Sequence, residues 1–126
     1  MRANLSDELF KAIDEKIYID LEIHILNKKL IKAEEDKKEG FVKHLNQIIT
    51  RLSQQRRSVN DYLRQNGIKV QEAVNFYDIQ GQDSIFVDYY YSQKVDGGYK
   101  EGTMRYWKDA MKLKLKNRMK DYFTVK

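Results

Sequence analysis

The sequence contains no cysteine and no proline, and only six glycines in 126 residues. Without cysteine there is no disulfide, no thiolate metal site and no thiol nucleophile. Long apolar runs are also missing, and a membrane-spanning helix needs about 20 such residues. The opening decapeptide MRANLSDELF lacks the apolar stretch and small-residue cleavage site of a secretory signal. Together these absences predict a cytoplasmic protein with no membrane association. A composition rich in lysine, isoleucine and tyrosine, with no proline, fits a bacterial or phage genome.

Catalytic signatures are absent as well. The glycines have neither the spacing of a phosphate-binding loop nor that of a dinucleotide fingerprint, and no serine occupies a nucleophile elbow. The two histidines, His24 and His44, fall on different predicted helices. Neither has a carboxylate three or four residues further on to complete a metal site. Asp78, Asp83, Asp88 and Asp96 are spread over strands and turns, where acids serve turn chemistry and edge protection. The expectation is a non-enzymatic protein with no cofactor and no metal.

What is present is a globular composition, with 41% hydrophobic and 34% charged residues. The length fits a single domain over residues 1–126 with one real core. No repeat, low-complexity segment or linker divides it. The net charge of +5 is unevenly placed. Residues 1–40 carry eight basic and ten acidic side chains, a net of −2. From Met104 to Lys120 there are seven basic residues against Asp109 alone, a net of +6. Such asymmetry points toward a polyanion or an acidic protein surface.

Asn4 or Ser6 can cap a helix that begins near Leu5, and no breaker follows until Gly40. A second helix is predicted from Phe41 to about Asn66, with Phe41, Leu45, Ile48, Leu52, Val59 and Tyr62 at helical spacing and Gly67 closing it. With almost nothing between them, the two should form an antiparallel hairpin over residues 1–67.

One stretch inside the first helix reads differently. IYIDLEIHI, Ile17 to Ile25, alternates like a half-buried strand. Neither flank contains a turn, so the helix is the better reading, and at 100° per residue the alternation resolves into two stripes. Phe10, Ile13, Ile17, Leu21 and Ile25 form one, and Ile19, Ile23, Leu26 and Leu30 lie roughly opposite. A helix that is apolar on two sides is buried on two sides. The second helix can cover one stripe; the other needs the sheet, the C-terminal helix or another copy of the chain. The expectation is a homodimer with Ile19, Ile23, Leu26 and Leu30 at the contact.

After Gly67 the composition turns to β-branched and aromatic residues. AVNFYDI and SIFVDYYYSQKV are predicted to form a hairpin across QGQD, and VDGGYKEG is a second turn, within a β region over residues 68–100. Alternation puts Tyr89 and Tyr91 on one face with Ile85 and Val87, and Phe86 and Tyr90 on the other. Thr103 is then expected to cap a final helix over 101–126, with Met104, Trp107, Met111, Leu115, Met119 and Tyr122 along one side. The fold class is α+β, in the order α-α-β-β-α.

Tyr89, Tyr90 and Tyr91 are candidates for a protein-docking surface, since displayed tyrosines give large contact area at low entropic cost. The alternative is nucleic-acid binding. Aromatic strands beside basic side chains provide stacking and phosphate neutralisation. Its candidate residues are Arg51, Arg56, Arg57, Arg105, Lys108, Lys112 and Lys116. The leading expectation is a small interaction or regulatory protein with an unidentified protein partner. The acidic first helix is itself a candidate counter-surface for the basic last one.

Overall fold

The computed structural model describes residues 5–71, 74, 76–81 and 84–123. The chain forms helices α1 (Asp7–Glu35) and α2 (Glu39–Gln65), strands β1 (Ile68–Val70), β2 (Phe86–Val95) and β3 (Gly98–Trp107), and helix α3 (Lys108–Met119). Single 3₁₀ turns occupy Phe76–Ile79 and Lys120–Phe123. No helix among the described residues is long and apolar enough to cross a membrane.

Ser6 caps α1, its hydroxyl accepting from the Leu9 amide at 3.2 Å while Asp7 and Glu8 sit against the positive helix end. The stretch Ile17–Ile25 lies wholly within this helix. The turn to α2 does not use the glycine expected to end α1. Lys37 takes the left-handed conformation at φ 55°, and Gly40 falls in the first turn of α2. At the far end Gly67, at φ 71°, supplies the left-handed residue after α2.

The two stripes of α1 are both buried, and both within this one chain. Ile19, Ile23 and Leu26 pack against Leu45, Ile48 and Leu52 of α2, with Leu30 half-buried beside them. Ile13, Ile17 and Leu21 pack against the sheet and against Met111 and Leu115 of α3. So α1 is a central layer, with α2 on one side and the sheet and α3 on the other. The inference of two-sided burial holds, but a second copy is not needed to complete it. Phe10, counted with the inner stripe, is half exposed.

The sheet is antiparallel, in the order β1-β2-β3, with β2 in the middle. Its hairpin is not the expected one. Phe76–Ile79 of AVNFYDI forms a 3₁₀ turn, while Ala73 and Asn75 lie outside the described residues, as do Asn4 and Asp83. The partner of β2 is instead β3, paired from Phe86↔Trp107 to Val95↔Gly98 across Asp96–Gly97. Met104 to Trp107 therefore belong to a strand, and the final helix begins at Lys108 instead of being capped by Thr103.

Candidate protein-interaction surface

Alternation along β2 and β3 gives each residue one of two environments. Tyr89, Tyr91 and Met104 face α1 and are buried. The opposite face is open. It carries Phe86 and Tyr90 from β2, and Tyr99 and Trp107 from β3, 42%, 59%, 70% and 56% exposed respectively. Four large rings on one open face are well beyond the scattered apolar residues that any surface shows.

Between the Phe86–Trp107 rung and Tyr90 this face is charged but balanced. Asp88 and Arg105 are cross-strand partners. Arg105 donates from Nε at 2.8 Å and from Nη2 at 3.1 Å to the two Asp88 oxygens. Its guanidinium also lies over the Phe86 ring, 5.4 Å from the centroid. The Arg105 hydrogen bonds hold the Asp88 carboxyl below the usual carboxylate range. The face thus offers apolar area around a neutral, bidentate ion pair, which fixes orientation without presenting a field of one sign.

Beneath the sheet a second set of polar groups binds α3 to α1. Arg118 donates from Nη1 and Nη2 to the Glu15 oxygens, both at 2.9 Å, and from Nε to Glu22 at 3.0 Å. Glu22 is 1% exposed, and such a charge is tolerable only because it is fully partnered. Lys114 reaches Asp14 at 3.1 Å, and the Tyr106 hydroxyl donates to the same carboxylate at 2.7 Å. Hydrogen bonds from Arg118 hold Glu15 below its ordinary range. Burial raises the Tyr18 hydroxyl to about 12, and burial also raises Tyr106 and Tyr89. Burial disfavours the Arg118 charge, but hydrogen bonds to Glu15 and Glu22 outweigh it and raise its pKa. This network clamps α3 to α1.

The structure distributes the sequence candidates unevenly. Ile19, Ile23, Leu26 and Leu30 are covered by α2, so that stripe is not an open contact surface. Of the three consecutive tyrosines only Tyr90 is displayed, since Tyr89 and Tyr91 fill the core. The basic candidates do not form one patch. Arg105 is engaged by Asp88, and Arg56 is 3.6 Å from Asp20. Lys108 is buried, with its ammonium 3.1 Å from the Gly81 carbonyl. Arg51 lies over the Tyr122 ring, while Arg57 on α2 and Lys112 and Lys116 on α3 are exposed. The expected ionic meeting of the first and last helices is present within the chain, through Lys114 and Arg118.

Both histidines act as packing groups. His24 Nδ1 accepts from the Phe76 amide at 3.0 Å, and His44 Nε2 donates to the Tyr122 carbonyl. Among the described residues no group of three or more His, Asp or Glu is arranged to hold a metal.

Sequence reasoning missed Tyr99 as a surface group and placed Trp107 in the core. The signal was in GYKEGTMRYW, where Tyr99, Glu101, Thr103, Arg105 and Trp107 occupy alternate positions just after a DGG turn. Comparison with known proteins gives one match: a family model described as YhjD protein covers residues 4–126. No curated protein and no solved structure matches the chain.

Proposed function

The chain belongs to the YhjD protein family, and we propose that it is a small non-enzymatic binding protein whose outer sheet face docks a protein partner. The observation that carries this is the exposure of Phe86, Tyr90, Tyr99 and Trp107 on one face of the sheet, where Phe86, Trp107 and Tyr90 flank the Asp88–Arg105 pair. The partner's surface is apolar with both signs of charge, because aromatic anchors supply most of the binding energy while a balanced pair sets register. A phosphate backbone is a poorer fit. Asp88 and Glu101 both stand on this face, and their carboxylates would repel a phosphate backbone.

Replacing Tyr90 with a photo-crosslinking phenylalanine analogue in the native host tests this directly. The expected result is a nuclease-resistant protein adduct that Phe86→Ser removes and that is absent when the analogue replaces exposed Gln54 on α2. The opposing result is salt-steep binding to oligonucleotides that reversal of Lys112 and Lys116 to glutamate abolishes. That would move the function to the basic α3 and to nucleic acid.

A further inference from the structure

Among the described residues β3 is an edge strand, paired with β2 on one side and with no strand on the other. Hydrogen bonds on β2 fix which of its backbone groups point where. The Gln71 amide donates to the Tyr90 carbonyl and the Lys94 amide to the Gly67 carbonyl, so the even-numbered residues of β2 face β1. Its odd-numbered residues therefore exchange hydrogen bonds with the even-numbered residues of β3. It follows that Tyr99, Glu101, Thr103 and Arg105 direct their N–H and C=O groups outward along the edge of β3, as Trp107 does its N–H, while the Trp107 carbonyl belongs to the first turn of α3. All of these side chains are exposed on the outer face. Helix α3 turns under the opposite face, where Met111 and Leu115 enter the core.

A long, open edge strand is a template for another strand, and proteins normally blunt it. Here its sequence is complementary to itself. If two copies pair antiparallel about a two-fold axis at Thr103, Glu101 of each stands opposite Arg105 of the other. In the same register Tyr99 stands opposite Trp107, and threonine opposite threonine. Charged, aromatic and threonine pairs are the cross-strand combinations that stabilise antiparallel sheets. Slipping the register by two residues sets Arg105 against Tyr99 and Glu101 against Thr103, and loses every one of these matches. The geometry points to a homodimer in which β3 pairs with β3 of a second copy about Thr103, giving one continuous six-stranded sheet. Both halves of its outer face then carry the aromatic surface, as an isologous interface requires. This inference rests on reading the sheet as the interaction surface, and it names a second copy as the occupant of its edge.

Sedimentation equilibrium between about 1 and about 100 μM measures the association, and circular dichroism confirms that each variant is folded. Thr103→Pro removes an N–H that faces the open edge and takes nothing from the β2–β3 ladder, so a folded monomer is expected. Glu101→Lys and Arg105→Glu each set like charges opposite one another and should weaken self-association at least about tenfold. Mixed together, the two variants should form a heterodimer, because each then meets its opposite. The mixing experiment decides the matter should Thr103→Pro fail to fold. A wild-type monomer at every concentration overturns the proposal, as does a dimer unaffected by all three substitutions. Tyr90→Ala lies off the edge and leaves the dimer intact. Loss of the Tyr90 adduct with dimerisation preserved therefore counts against the docking face alone, and the converse against the edge alone.

Discussion

Tyr89 and Tyr90 are neighbours in the chain with opposite surroundings. The first is enclosed between the sheet and α1, with its hydroxyl donating to Asp78 at 3.2 Å; the second stands in solvent on the outer face. The same contrast holds for ion pairs. Glu22 and Arg118 meet below the sheet with the carboxylate fully buried, whereas Asp88 and Arg105 meet above it in water. Residue type is shared by the two faces, so it is burial that assigns the inner one to stability and leaves the outer one in solvent.

Truncating one ring on each side should separate the two faces most severely. Tyr89→Ala should cost about 3–5 kcal/mol of unfolding free energy, as large-to-small changes in enclosed sites do. Tyr90→Ala should stay within about 0.5 kcal/mol. Urea denaturation of the two variants measures both, and equal losses would contradict the assignment of faces.

The ion pairs give a somewhat smaller difference. Glu22→Ala leaves the Arg118 guanidinium with Glu15 alone in a partly buried setting. A loss of about 2–3 kcal/mol is expected, below the range for a fully enclosed pair because Arg118 retains some exposure. Asp88→Ala should leave the denaturation midpoint unmoved, since exposed pairs contribute little.

Gly102 sharpens the comparison from the inner side. A methyl group placed there would lie 2.3 Å from the Tyr91 ring and hydroxyl, so Gly102→Ala must push that ring aside. Thermal unfolding should report about 1–3 kcal/mol, the usual cost of overpacking.

The smallest effect is one of pH. Tyr18, Tyr89 and Tyr106 have hydroxyl pKa values raised by burial, to about 12 for Tyr18. In the unfolded chain these groups ionise near pH 10, so the unfolded state releases protons that the folded state retains. Their contribution is therefore complete below about pH 10 and is lost progressively as pH rises beyond it. Urea midpoints at neutral and alkaline pH should show the decline, with tyrosinate absorbance appearing together with unfolding. At the acid end Glu15 acts in the other sense. Its lowered pKa contributes stability above the ordinary glutamate range, and that contribution fades as pH falls through it.

Much of the architecture was legible because periodicity reports burial. The two stripes of α1 follow from the positions of nine apolar residues, and apart from Phe10 both are covered within the chain. What periodicity does not report is which element does the covering. Nothing local distinguishes α2 from a second subunit as the cover for Ile19, Ile23 and Leu26. The boundary between β3 and α3 was unreadable for a related reason. Met104, Trp107, Met111 and Leu115 continue a helical spacing, yet Met104 and Tyr106 alternate with Arg105 and Trp107 just as well. The choice is made by the ladder with β2, an interaction between segments that windows along the chain do not connect. The aromatic face was half visible: Phe86 and Tyr90 were placed together, and Tyr99 and Trp107 joined them only once that ladder was known.

The clamp between α1 and α3 has a consequence for how the molecule is made. Arg118 is separated by 103 residues from Glu15 and by 96 from Glu22. On a ribosome the acidic groups of α1 emerge first and wait in water for a cation that is synthesised 96 residues after Glu22. Until it arrives, Glu22 has no means of entering the interior, and the inner face of the sheet lacks Met111 and Leu115. Contacts this distant in sequence slow the search for the native state. The helical hairpin is thus free to form during translation, whereas the second core layer closes only as the end of α3 leaves the exit tunnel.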